Sequence, residues 1–186
     1  MSKIGRKPIA LGSTKVEVKG QEVHYSGKNG SGVYVLPKEL VAKVEESDLI
    51  VMPSDAIKGK IRQREINRIW GLHRALLANE IKGSQEEFEK KIKITGLGYK
   101  AAVSGKKIIF SLGYSHKKDF ELPKDVSLEV DKTGQLLTVR SKDKMLAGQV
   151  CSEIKRLRAT EPYKGTGIQL TTDTIARKAG KAKSAG

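Results

Sequence analysis

Two short runs near the C-terminus, Glu161-Pro162-Tyr163-Lys164-Gly165-Thr166-Gly167-Ile168 and Arg177-Lys178-Ala179-Gly180-Lys181, mix cations and glycines around one tyrosine. Lysine and arginine neutralise phosphates and release their counterions. Glycine lacks the Cβ that would keep backbone N–H groups away from an anion, and it tolerates positive φ. A tyrosine ring stacks on a base or packs on a sugar. From residue 155 onward there are eight basic residues against two acidic ones, more than twice an even share of the chain's net charge of +15. These residue types predict contact with a polyanion through Tyr163, Lys164, Gly165, Gly167, Arg177, Lys178 and Lys181. They also describe a solvated tail, too poor in large apolar residues to pack, with its tyrosine docked back on the body.

Other chemistry is weakly represented. Gly96-Leu97-Gly98-Tyr99-Lys100-Ala101 fits a dinucleotide fingerprint and follows a strand pattern, but the next residues break at Gly105 and resume in Ile108-Ile109-Phe110, like a hairpin. A dinucleotide loop must instead open a helix whose N-terminus receives the pyrophosphate. The Gly-Lys pairs at 27–28, 59–60 and 105–106 do not complete a phosphate loop. His24, His73 and His116 are scattered and no cluster has metal-ligand spacing, so no metal and no cofactor is expected. No catalytic triad or paired carboxylates stand out, and the chain reads as a non-enzyme without a small-molecule substrate. The lone Cys151 falls on an apolar helical stretch, which suggests a packed thiol in a reducing compartment. The sequence has no apolar run of membrane-span length and no signal-peptide core, so a cytoplasmic or organelle-matrix protein without membrane contact is expected. With 36 Lys+Arg against 21 Asp+Glu, nucleic acid is the expected partner.

The elements that must position these residues fall into two similar halves. Val16-Glu17-Val18-Lys19-Gly20 and Ile92-Lys93-Ile94-Thr95-Gly96 each alternate and end on glycine. Leu-Pro-Lys follows at 36–38 and 122–124, then an apolar strand at Leu49–Met52 and Leu136–Val139, then one helix. Each helix is expected to end near a Lys-Gly pair, at 82–83 and 164–165, with Pro162 stopping the second. The first helix carries Ile66, Ile69, Trp70, His73, Leu77 and Ile81 on one stripe, where His73 reads as a satisfied core residue. Further short antiparallel strands are read at 15–19, 22–26, 33–36, 99–104 and 107–112. The fold class is therefore α+β, two tandem domains each made of a small antiparallel-rich sheet covered by one helix. The expected boundaries are 1–83, 84–165 and a basic tail at 166–186, with the joint near Gly83–Glu87.

Secondary contacts with a polyanion are expected from Lys3, Arg6 and Lys7, which equally fit a frayed end, and from Arg64, Arg68 and Lys155 on the outer helix faces. Lys58, Lys60 and Arg62 extend the basic run ahead of the first helix.

The opening Ile4-Gly5-Arg6-Lys7-Pro8-Ile9, the duplicated halves, the Gly96-Leu97-Gly98-Tyr99 hairpin and the two C-terminal runs together resemble the bacterial-type large-subunit ribosomal protein six family over essentially the whole chain. The resemblance implies a structural constituent of the large ribosomal subunit. It would bind ribosomal RNA mainly through the second domain and tail, near the sarcin–ricin loop and beside neighbouring proteins of the factor-binding stalk base. The family usually has basic residues where this chain has Thr166, Gln169 and Ala176. Weighed against this stands a nonspecific basic DNA-packaging protein, although no helix-turn-helix or zinc-finger spacing is present.

Overall fold

A computed structural model describes residues 2–54, 63–105 and 107–180. The chain divides into two compact units, Met1–Glu87 and Phe88–Gly186.

In the first unit, β1 (Ile9–Ala10), β5 (Leu40–Glu45) and β6 (Asp48–Pro53) form an antiparallel sheet in the order β1-β6-β5. A second sheet is the meander β2 (Lys15–Lys19), β3 (Glu22–Gly27) and β4 (Gly30–Val35). Helix α1 (Gln63–Gln85) lays Trp70, Leu77 and Ile81 against a core that includes Val23, Leu36, Leu40, Leu49 and Val51, and also buries Ile66. Each such side chain, fully buried, contributes about 1.5–3 kcal/mol. The buried indole keeps its hydrogen bond, Trp70 Nε1 donating to the Val51 carbonyl at 2.7 Å. The expected stripe is the buried one, and His73 is satisfied, its Nδ1 lying 2.8 Å from the Tyr34 hydroxyl.

The second unit repeats this plan and adds a strand. Its meander is β8 (Lys100–Ser104), β9 (Lys107–Ser111) and β10 (Lys118–Glu121). The other sheet has the order β11-β12-β7-β13, from β7 (Phe88–Thr95), β11 (Val126–Val130), β12 (Leu136–Ser141) and β13 (Gly167–Leu170). Helix α2 (Lys144–Leu157) starts at Asp143, whose side chain accepts from Met145 N at 2.7 Å, an N-cap that satisfies one of the helix's free donors. It packs Val150, Cys151 and Ile154 into a core with Ile92, Ile94, Leu137, Val139 and Ile168, and also buries Ala147. Cys151 is a packed free thiol whose pKa burial pushes up.

The α+β class with one helix per unit is as expected; several details differ. By topology the counterpart of β7 is β1, because each pairs with the last hairpin strand of its unit, β12 or β6. The segment Val16–Lys19, matched by sequence to Ile92–Thr95, instead lies in β2 and corresponds to β8. Helix α1 runs on through Lys82-Gly83 to Gln85, with Gly83 buried. Helix α2 stops at Leu157, well before Pro162. Residues 167–170, read as the start of the tail, form an edge strand of the second sheet. Gly96-Leu97-Gly98 links β7 to β8 with no helix after it, so the dinucleotide context is missing.

The N-terminal segment is anchored. Gly5 lies buried against the Trp70 ring, and Arg74 donates to the carbonyls of Lys7 and Pro8 at 2.9 and 2.7 Å. Among the described residues, no helix is long and apolar enough to cross a membrane.

Candidate nucleic-acid interface

After α2 the chain turns extended at Arg158 and runs beside β13: Ile168 N donates to the Arg158 carbonyl at 2.9 Å, and Thr160 Oγ1 donates to the Ile168 carbonyl at 3.0 Å. Residues 161–166 form a tight hairpin, with Glu161 N donating to Thr166 O at 2.9 Å and Gly165 N to Glu161 O at 3.0 Å. Its tip projects Tyr163, 54% exposed, and Lys164. Strand β13 then pairs antiparallel with β7, Gly167 opposite Thr95 and Gln169 opposite Lys93. The buried Ile168 seats this strand against the core of the second unit.

Beyond Leu170 the chain is pinned at two points. At the first, Asp173 Oδ2 accepts from Lys155 Nζ on α2 at 2.6 Å and from Leu170 N at 3.3 Å. At the second, Lys178 N donates to the Pro162 carbonyl at 3.0 Å. The Arg177 guanidinium lies over Gly165, close enough that a Cβ there would stand 3.0 Å from its Nη2. Arg177 and Lys178 are thereby brought to the hairpin that carries Tyr163 and Lys164. Among the described residues no carboxylate pairs with Lys164, Arg177 or Lys178.

Three of the expected site residues, Gly165, Gly167 and Lys155, are engaged within the protein itself. Gly165 is buried and its room is taken by Arg177; Gly167 is buried and its room is taken by the backbone of Ala159 and Thr160. Both glycines therefore serve the chain's own packing. Lys155, read as an outward cation, is the partner of Asp173. Lys181 lies outside the described residues, as do Lys58, Lys60 and Arg62. Lys3, Arg6, Lys7, Arg64 and Arg68 are exposed and belong to the first unit. Among the described residues no His, Cys, Asp and Glu side chains gather as a metal-holding group.

The Lys155–Asp173 contact has a definite pH dependence. The Lys155 ammonium, with help from the Leu170 N–H, holds the Asp173 carboxyl below the ordinary aspartate range. A carboxyl depressed by folding adds stability above its unfolded pKa, and that stability is lost as pH falls through the folded value. The latch is therefore whole at neutral pH and opens only in acid. Asp173→Asn should speed hydrogen exchange of the Lys178 amide at pH 7, relative to its intrinsic rate, while amides in the centre of β12 stay unchanged. Unaltered protection at Lys178 would show that the Pro162 contact holds the segment alone.

A second group escaped the sequence reading. In the loop between β9 and β10, Tyr114 donates to the Leu157 carbonyl at 3.1 Å. The Arg158 guanidinium lies 4.8 Å from its ring centroid, the Lys118 ammonium 4.3 Å, and the His116 ring stacks at 6.5 Å. The neighbouring Arg158 guanidinium lowers the pKa of the Tyr114 hydroxyl. Arg158 also opens the segment that leads to the hairpin. The run Gly113-Tyr114-Ser115-His116-Lys117-Lys118 was the available signal, aromatics interleaved with bases.

Similarity to known proteins follows this geometry. The family model described as "Ribosomal protein L6" matches residues 95–170, from the last residue of β7 to the last of β13. The chain is 36% identical over 184 residues to the large ribosomal subunit protein uL6 of Methylorubrum extorquens strain PA1, covering 98% of this chain and 100% of the relative. It is 40% identical over 182 residues to that of Bifidobacterium animalis subsp. lactis strain AD011, with 97% and 98% covered. To that of Mesorhizobium japonicum it is 39% identical over 184 residues, with 98% and 100% covered.

Proposed function

Because the chain belongs to the ribosomal protein L6 family, we propose that it holds large-subunit ribosomal RNA through the second unit, with the 161–166 hairpin and the 174–178 segment as the principal contact. It is a protein of the large ribosomal subunit and works in translation as a structural component, not an enzyme. Its place is the ribosome, in the cytoplasm.

The observation that carries the RNA reading is the convergence at one hairpin of the exposed Tyr163 ring with Lys164, Arg177 and Lys178, three cations without carboxylate partners among the described residues. The cations neutralise phosphates and the ring stacks on a base or packs on a sugar. Arg177 and Lys178 are already pinned, so less ordering entropy is lost on binding than from a free tail. Tyr114, His116, Lys118 and Arg158 add a second aromatic-cationic group in the same unit. Recognition of the folded shape of the RNA, rather than a base-edge code, is the mode that cations and a stacking ring serve. Gly165 and Gly167 act by positioning. The substituted Thr166 turns inward, its hydroxyl 3.3 Å from Glu161 Oε2, and steadies the hairpin where the family usually has a cation. The family resemblance supports a position for this surface near the sarcin–ricin loop, with proteins of the stalk base beside it. The exposed Lys3, Arg6, Lys7, Arg64 and Arg68 are proposed as secondary contacts.

Titrating the full chain against structured large-subunit ribosomal RNA and against duplex DNA of equal charge, at several salt concentrations, tests the reading. The RNA should bind at least about tenfold tighter at physiological salt, since both polyanions offer the same nonspecific attraction. Equal affinity would favour a nonspecific basic protein.

A further inference from the structure

Under the C-terminal segment, on the face of the β7–β13 pair turned away from the core, lies an open cleft whose walls include Lys93, Thr95, Gln169, Asp173, Thr174 and Arg177. Strand register explains the grouping: Lys93 stands opposite Gln169 and Thr95 opposite Gly167, while Ile92, Ile94 and Ile168 take the other face into the core. The carboxylate in the wall is already neutralised by Lys155, which leaves Lys93 and Arg177 as the charge that sets the sign of the cleft. Around them are neutral groups able to donate, the Gln169 amide and the Thr174 hydroxyl. One further polar group is unspent, because Thr95 Oγ1 is buried and has no hydrogen-bonding partner among the described residues. Buried hydroxyls ordinarily find a partner, so an orphan at the edge of a cationic cleft marks a place for a ligand rather than a packing need.

We propose that this cleft, where Lys93 and Arg177 flank the unpartnered Thr95 hydroxyl, is a phosphate site that grips one backbone phosphodiester of RNA. The assignment rests on the RNA-binding reading above and adds to it a cleft on the β7–β13 face, which shares Arg177 with the hairpin surface. Lys93 supplies a point charge, Arg177 a planar fork, and the hydroxyl and amide complete the set of donors around the phosphate oxygens. Gln169 fits this role, since a neutral amide can donate to a phosphate oxygen beside the two cations.

The test is an amide NMR titration of the full chain with inorganic phosphate, with sodium chloride at matched ionic strength, and with a ribodinucleoside monophosphate. Phosphate should give saturable shifts at Lys93, Thr95 and Gln169 that chloride does not, and the dinucleoside should bind more tightly than phosphate. Lys93→Gln should weaken both by about tenfold. Thr95→Val should weaken them by about threefold to tenfold while leaving the melting temperature unchanged or higher, since it removes a hydroxyl that the fold does not satisfy. Equal shifts with chloride, or full binding by Lys93→Gln, would overturn the site. Binding of the dinucleoside no better than phosphate would overturn its assignment to the RNA backbone. Ribosomal RNA preference without phosphate shifts removes the cleft and leaves the broader reading standing. Phosphate binding without preference for RNA over DNA keeps the site and removes that reading.

Discussion

Gly167→Ala should destabilise the second unit by about 3 kcal/mol, more than other single changes at the C-terminal surface. Gly167 has φ of +135°, in a region L residues rarely adopt, and forcing a side chain there costs about 1–3 kcal/mol before any contact is counted. The added Cβ would then lie 2.7 Å from the Ala159 carbonyl oxygen and 2.8 Å from Thr160 Cα. Both are backbone atoms, fixed by the bonds from Ile168 N to Arg158 O and from Thr160 Oγ1 to Ile168 O, so relief means unpinning β13 from the segment that leaves α2. Ile168 would lose part of its burial with it. Urea denaturation of the full chain measures this as a lower midpoint at unchanged slope, or as a separate earlier transition of the second unit. Gly180→Ala is the control: a Cβ there meets nothing within 4 Å, and no effect beyond about 0.5 kcal/mol is expected. A cost below about 1 kcal/mol for Gly167→Ala would mean that β13 is only loosely seated. The same variant should also lose RNA affinity, because the hairpin and the Arg177 seat depend on that strand.

The parts of the fold that could be read in the sequence are those whose burial repeats locally. The stripe Ile66, Trp70, Leu77, Ile81 of α1 shows at the helical period because one face of that helix meets the core. Leu49 and Val51 of β6, and Leu137 and Val139 of β12, show as short apolar runs of strand length; the alternation of their burial emerges only when one face of each strand meets the core. Strand β13 did not show. Its four residues, Gly-Ile-Gln-Leu, have no strong strand propensity, and what makes them a strand is the edge of β7 offered from far back in the chain. The error in matching Val16–Lys19 to Ile92–Thr95 has a similar origin, since alternation marks a half-buried strand without saying which neighbour it pairs with. At the site, Tyr163, Lys164, Arg177 and Lys178 were legible from residue type alone. The commitments of the others were not: Lys155 meets Asp173 and Arg158 meets Tyr114 only once the chain has folded, and Gly165 is filled by a side chain from beyond β13.

A combined Lys164→Gln, Arg177→Gln, Lys178→Gln variant should show the largest functional effect. The three side chains are exposed and have no carboxylate partners among the described residues, so thermal stability should change little. Truncation at Pro162 is a poorer test because it removes β13 and exposes the core that Ile168 covers. Each phosphate neutralised contributes roughly 0.7–0.9 to the slope of log affinity against log salt concentration, so removing all three cations should flatten it by about 2 to 3 units.

The decisive measurement is therefore the salt dependence of binding to structured large-subunit ribosomal RNA for the full chain and this triple variant, side by side. The slope should flatten by about 2 to 3 units, with a correspondingly large fall in affinity at physiological salt. An unchanged slope and affinity, with the variant fully folded, would contradict the claim that the C-terminal hairpin and the segment pinned to it are the principal RNA contact.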